Sequence, residues 1–172
     1  MSVKLNLGSG GRQFGDYVNI DINPGKGVDK VMDITTLSYP DKSVDLIYSR
    51  HVIEHFGRNE IYNVIKEWVR VLKPNGKIVL DFPDLQKYTE YYIEHQSEID
   101  IDEFARWLYG NQDHPYNYHK NGLSTSTIQK MFNDFNVDII KIQSTEVRLN
   151  KKLRTKYGPI KIGTEITGIK GD

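Results

Sequence analysis

The segment Tyr48 to His55, "YSRHVIEH", contains His51, Glu54 and His55 in the order His-x-x-Glu-His. On a helix this spacing puts two imidazoles and a carboxylate on one face, where they can hold a metal ion or move protons. An inverted-zincin reading needs a sustained helix here and a third ligand on a later one. The residues before His51 are strand-like and Gly57 follows at once, so no metal is expected. Two readings stay open for His51 and His55: a general base, or a structural role in a pocket wall.

The elements that must position these residues alternate in period. "VKLNL" reads as a short buried strand, Val3 to Leu7, broken by Gly8, Gly10 and Gly11. "YVNIDI" is a second strand ending at Asp21, and "VDKVMDIT" a third ending near Asp33. "SVDLIYSR" is a fourth, apolar enough to be central and covered on both faces. Between Asn59 and Leu72 the apolar residues Ile61, Val64, Ile65, Trp68 and Leu72 recur at helical spacing, with Asn59 as the expected cap and "KPNG" as the stop. "GKIVLDFPD" is a fifth strand ended by Pro83. Helices are expected at Leu85 to Glu94, Asp102 to Leu108 and Ser124 to Phe132. "VDIIKIQSTEVRLN" and "PIKIGTEITGI" form an antiparallel pair across the basic turn "KKLRTKYG".

This order predicts an α/β fold: a Rossmann-like sheet, mostly parallel, with one antiparallel C-terminal strand. In such sheets ligands lie at the carboxyl ends of the strands, where Gly8, Ser9 and Gly10 allow close backbone approach. Asp21 there can accept hydrogen bonds from two ribose hydroxyls, and Asp33 can face an adenine or a backbone amide.

The motifs "LNLGSGG", "VNIDI", "VMDIT", "SVDLIYSRHVIEHF" and "EWVRVLKPNGKIVLDFPD" together resemble class I S-adenosylmethionine-dependent methyltransferases, especially small ones related to the type 11 group. The resemblance runs from Val3 to about Asp84. It implies S-adenosyl-L-methionine as cofactor, cradled by Gly8, Ser9 and Gly10 beside Leu7. Asp21 and the adjoining Ile22 fall at the ribose, Asp33 and Ile34 at the adenine, and Ser49 and Arg50 near the methyl group and acceptor. Two connections, Leu7 to Tyr17 and Asp21 to Lys30, are too short for crossover helices. One face of the sheet is therefore expected to be thinly covered and available to a partner subunit.

The chain reads as a single domain over residues 1–172 with a lid-like insertion at about 84–122. That insertion carries Tyr88, Tyr91, Tyr92, Trp107, Tyr109, Tyr116 and Tyr118, with Tyr88, Tyr92 and Trp107 read as helix-face packing. His114 and His119, in the polar and proline-broken "NQDHPYNYHKNG", join His51 as candidate bases. The expected acceptor is a small molecule or a glycan. Lys151, Lys152, Arg154 and Lys156 suit a phosphate or acidic partner, although a charge run at a hairpin tip is ordinarily solvated.

Composition narrows the alternatives. The 172 residues carry 23 basic and 23 acidic side chains, so no global field favours nucleic acid or an anionic membrane. The absence of cysteine excludes disulfides and thiol nucleophiles and suits a cytoplasmic setting. No apolar run is long enough to span a membrane. A homodimer is compatible with the sequence. The competing classes are a non-catalytic cofactor-binding subunit that docks a partner through its sheet face, and a nicotinamide-dependent oxidoreductase. "GSGGRQFG" lacks the helix whose N-terminus a dinucleotide pyrophosphate requires, which disfavours the last.

Overall fold

The computed structural model describes residues 2–147 and 159–172. The turn residues Lys151, Lys152, Arg154 and Lys156 therefore lie outside the described residues. Seven strands form one sheet in the order β3-β2-β1-β4-β5-β7-β6. They are β1 (Lys4–Leu7), β2 (Val18–Asp21), β3 (Lys30–Val31), β4 (Val44–Arg50), β5 (Leu72–Pro83), β6 (Val137–Thr145) and β7 (Gly163–Lys170). β1 to β5 run parallel, and β7 is antiparallel to both of its neighbours, β5 and β6. The order reverses between β1 and β4, which opens a ligand crevice at their carboxyl ends.

Side-chain alternation explains how this sheet is covered. Leu5, Leu7, Ile20, Ile47, Ile78, Leu80, Phe82 and Ile166 point to one face and are fully buried. Two helices close that face: α1 (Ile61–Val71), through Ile61, Val64, Ile65 and Trp68, and α4 (Thr125–Asp134), through Ile128 and Phe132. Each such side chain contributes roughly 1.5–3 kcal/mol by leaving water. Residues of the opposite face, among them Lys4, Leu46, Tyr48, Val79, Thr167 and Ile169, stay half-buried, and Lys77 and Lys141 are exposed. β4 is central as expected but is covered fully on one face only.

Without a helix, the connection from β1 to β2 is held by a buried amide. Asn19 is 1% exposed. Its Oδ1 accepts from Asn6 Nδ2 and from Phe14 N, each at 3.0 Å. Its Nδ2 donates to Phe14 O at 3.1 Å and to Asp29 Oδ2 at 2.7 Å, and its backbone N–H donates to that same carboxylate oxygen at 2.8 Å. Asn6 Nδ2 also reaches Arg12 O at 2.8 Å. Loop 8–17, strand β2 and the turn before β3 are thereby tied to one side chain.

Several element ends differ from the sequence expectations. α1 begins after Glu60 instead of Asn59, because Glu60 turns its carboxylate back to accept from Gly57 N at 2.7 Å. "KPNG" ends α1 but belongs to β5, as a bulge between the pairs Val44↔Leu72 and Leu46↔Lys77. β3 keeps only Lys30 and Val31. The insertion holds α2 (Leu85–His95) and α3 (Ile101–Tyr109), with a small core of Tyr88, Ile99, Trp107, Ile160 and Ile162. Tyr92 stacks on Phe104 beside it. The excursion closes on itself: Leu85 N donates to Leu123 O at 2.7 Å, and buried Asp84 accepts from Thr125 Oγ1 and Thr164 Oγ1 at 2.8 and 2.9 Å.

Asn19→Ala strips partners from Asn6, Phe14 and Asp29, so roughly 2–3 kcal/mol of unfolding free energy should be lost in a urea titration. The Asn19 backbone and side chain also hold the Asp29 carboxyl below the ordinary aspartate range. That contribution is present at neutral pH and lost as acidification passes below that range. Asp29→Asn should flatten this part of the acid limb of stability.

Candidate functional site

The turn after β1 is shaped by what surrounds it. Gly8 has φ +67°, and a Cβ there would lie 2.4 Å from Val52 Cγ2, so only glycine fits. Gly10, with φ +53°, has open space where its Cβ would be, and the backbone is bare to the crevice. Asp21, at the end of β2, fastens the turn: its Oδ2 accepts from Gly10 N at 2.8 Å and its Oδ1 from Asn23 N at 3.0 Å. Each carboxylate oxygen keeps a lone pair for a ligand hydroxyl.

The segment after β3 is pinned by α1. Trp68 Nε1 donates to Ile34 O at 2.8 Å, and Leu37 N donates to Glu67 Oε1 at 2.8 Å. Arg70 adds bonds to Leu37 O and Tyr39 O, both at 3.1 Å. Asp33 Oδ1 accepts from Thr35 N at 2.9 Å. Between this segment and the glycine turn lies a cleft of about 810 Å³. Gly8, Gly10, Asp21, Ile22, Asp33 and Ile34 line it, and residues His114 to Tyr118 of the insertion reach it from the other side.

Other sequence candidates sit elsewhere. Leu7 is fully buried and accepts from Ser49 Oγ at 3.1 Å, so both lie behind the cleft and do not line it. Ser9 is 6% exposed and likewise outside the lining, with its backbone N–H bonded to Ile20 O. Arg50 faces a second cleft of about 630 Å³, and its Nε lies 2.8 Å from Asp81 Oδ2.

His51 and His55 stand on the wall shared by the two clefts. His51 occupies the left-handed region, φ +52°, a strained conformation at the point where β4 ends. A single 3₁₀ turn, Ile53–His55, follows it. Glu54 points inward and is 1% exposed. His119 arrives from the insertion, with its ring centroid 5.2 Å from that of His55. Lys120 N and Asn121 N then donate to Glu54 O at 2.9 and 3.3 Å, which locks the end of the insertion to the 3₁₀ turn. Of the three histidines proposed as bases, His51 and His119 converge on Glu54. His114 stands apart on the first cleft, its Nδ1 accepting from Tyr116 N at 3.3 Å.

The charges in this cluster are unevenly supported. Burial pushes the Glu54 carboxyl up, but the imidazoles of His51, His55 and His119 outweigh it and hold it below the ordinary glutamate range. The group is therefore an anion at neutral pH. Burial pushes the His119 imidazole down, against the attraction of Glu54. The second cleft also carries Arg12 and Arg106, which the sequence reading did not single out. Arg106 had a local signal, since it lies three residues after Glu103 on α3 and pairs with it.

Comparison with known proteins bears on the fold that carries this site. Residues 10–80, less than half of the chain, match the family model described as a methyltransferase domain. No curated protein matches the sequence. A methyltransferase chain solved in complex with the Haloferax volcanii Trm112 methyltransferase activator is 12% identical, with a TM-score of 0.66 over 99% of this chain and 83% of its own. A SAM-dependent methyltransferase from Methanosarcina mazei is 19% identical, with a TM-score of 0.66 over 98% and 92%. One from Archaeoglobus fulgidus is 16% identical, with a TM-score of 0.64 over 98% and 86%. At these identities the likeness is one of fold. The family match over residues 10–80 and the likeness of fold are both to methyltransferases.

The turn at Gly8 and Gly10 and the carboxylate of Asp21 fit S-adenosylmethionine, because the backbone at Gly10 is open to the cleft and a side chain at Gly8 would displace Val52, which lines the same cleft. Gly8→Ala should abolish measurable S-adenosylhomocysteine binding in calorimetry. Trp68→Phe keeps the packing but removes the bond to Ile34 O, and should weaken binding by about 3- to 10-fold.

Proposed function

We propose that the chain transfers a methyl group from S-adenosylmethionine to a small, hydroxylated acceptor of carbohydrate-like character. The observation that carries this reading is that the two clefts meet at His51 and His55. The cofactor, when bound, supplies an electrophilic methyl group, so the protein's task is chiefly alignment. The first cleft holds the adenosyl part between Asp21 and Ile34 and presents the methyl at the junction. The second cleft, with Arg50, Arg106, Tyr88, Trp107 and Asn117 on its walls, suits a polar ring with many hydroxyls. With the cofactor bound, the methyl–sulfur bond would break as the acceptor oxygen bonds the methyl carbon, the sulfur leaving as a neutral thioether. His51, at the junction, would take the proton that the acceptor hydroxyl gives up.

In this reading the whole chain works as one methyltransferase domain with a lid-like insertion at about 84–122. The insertion covers the cofactor, and its residues from His114 to Lys120 exclude water from the junction. A cytosolic setting suits a chain without cysteine, and among the described residues no helix is long and apolar enough to cross a membrane.

The half-covered sheet face supports a second reading, a cofactor-binding subunit that docks a partner. The Haloferax methyltransferase of the same fold was solved with an activator protein. Calorimetric titration with S-adenosylhomocysteine, paired with a methyl-transfer screen over sugars and nucleotide sugars, separates the two. The leading reading expects micromolar binding, at least tenfold weaker in Asp21→Ala, and turnover that His51→Ala cuts by about 100-fold or more while binding is kept. Binding without turnover on any acceptor, together with a stable complex, would favour the second.

A further inference from the structure

Glu54 poses a physical problem that methyl transfer does not solve. Its carboxyl group is 1% exposed, and neither of its oxygens makes a hydrogen bond among the described residues. A buried polar group left without hydrogen bonds is among the costlier features a fold can carry. The nearest basic side chain is His51, whose Nδ1 lies 3.4 Å from Oε1 and leaves Oε2 unanswered.

Two further imidazoles are already prepared as ligands. His55 Nδ1 lies 3.0 Å from Tyr118 O, and His119 Nδ1 lies 3.2 Å from Trp107 O. A carbonyl can only accept, so each ring donates from Nδ1, and in the neutral imidazole Nε2 is then the atom with a free lone pair. Outward hydrogen bonds of this kind are how proteins orient histidines that bind metal. One ligand atom from each of Glu54, His55 and His119 lies within 4.8 Å of the others. A tetrahedral ion about 2.1 Å from each donor needs separations of roughly 3.4 Å, so a bound ion would draw the three side chains closer together.

We propose that Glu54, His55 and His119 form a binding site for one divalent transition-metal ion, with its remaining coordination positions open to the second cleft. Two imidazoles and one carboxylate suit zinc, manganese or ferrous iron, whereas magnesium and calcium favour all-oxygen shells. Three protein ligands and an open position are the pattern of a reactive site, and a structural ion would be closed by four. The sequence argument against a metal rested on the lack of a sustained helix. The structure needs none, because the third ligand comes from the insertion more than sixty residues later in the chain. Resting on the acceptor reading above, the proposal makes an acceptor oxygen the ligand that completes the shell. Holding this ion also draws the end of the insertion onto the 3₁₀ turn, which couples closure over the clefts to metal binding.

The test uses the full chain, purified and stripped with a chelator, titrated with zinc and with manganese in a calorimeter. Glu54→Gln, which preserves shape, and His119→Ala, on a loop, are run beside it, with circular dichroism to verify folding. The expected result is one ion per chain at micromolar affinity or better, weakened at least 100-fold in both variants and kept in His51→Ala. Saturating metal should raise the melting temperature of the wild type but not of Glu54→Gln. No binding to the wild type, or equal binding in wild type and both variants, overturns the site. S-adenosylhomocysteine titration of the same samples keeps the two questions apart. Cofactor binding without metal binding would sink this proposal alone, whereas metal binding without cofactor binding would sink the methyltransferase reading and leave the site.

Discussion

The hydrogen bonds of Asn19 stand where a crossover helix would ordinarily be. A parallel connection usually takes a dozen or more residues, yet Gly8 to Tyr17 must carry the chain from β1 to β2. Both Asn19 functional groups are engaged, and through Asn6, Phe14 and Asp29 they set the path of the loop. The glycine turn depends on that path. Gly10 meets Asp21 only because β2 lies in register beside β1, with Leu7 opposite Ile20. A polar network thus replaces hydrophobic helix packing, at the cost of leaving one face of the sheet only partly covered.

The cofactor cleft follows from two independent anchors. On one side the turn is held by Asp21, and on the other the segment 33–39 hangs from α1 through Trp68, Glu67 and Arg70. α1 is itself fixed by burial of its apolar stripe on the sheet. The insertion supplies the third side, and its return is set by backbone bonds from Lys120 and Asn121 to Glu54. Glu54 is therefore central twice, through its carbonyl, which holds the insertion, and through its carboxylate, which faces the histidines.

Much of this was legible in the sequence because it is local. The alternation in "VKLNL" and "GKIVLDFPD", the period of Ile61, Val64, Ile65 and Trp68, and the glycines after β1 each report on their own neighbourhood. Asp21 and Asp33 could be placed because strand ends in such sheets converge on one crevice. The acceptor side was less readable. Nothing in the spacing of His119 announces that it will meet His55, since a long-range contact leaves no periodic trace. Leu7 and Ser49 belong to the right strand ends and Ser9 to the turn beyond β1, but all three are buried outside the cleft lining, a distinction that strand position alone does not make. The α1 cap moves from Asn59 to Glu60 for a local reason, the bond from Gly57 N to the Glu60 carboxylate.

The central claim is that the glycine turn, the segment after β3 and the insertion enclose one S-adenosyl ligand. Hydrogen exchange with and without S-adenosylhomocysteine tests it directly. The account predicts slowed exchange in three separate places, at Gly8 to Gly10, at Asp33 to Leu37 and at Tyr116 to Lys120, with β6 and β7 unchanged. Protection confined to other regions, or no protection at a concentration that saturates binding, would contradict it.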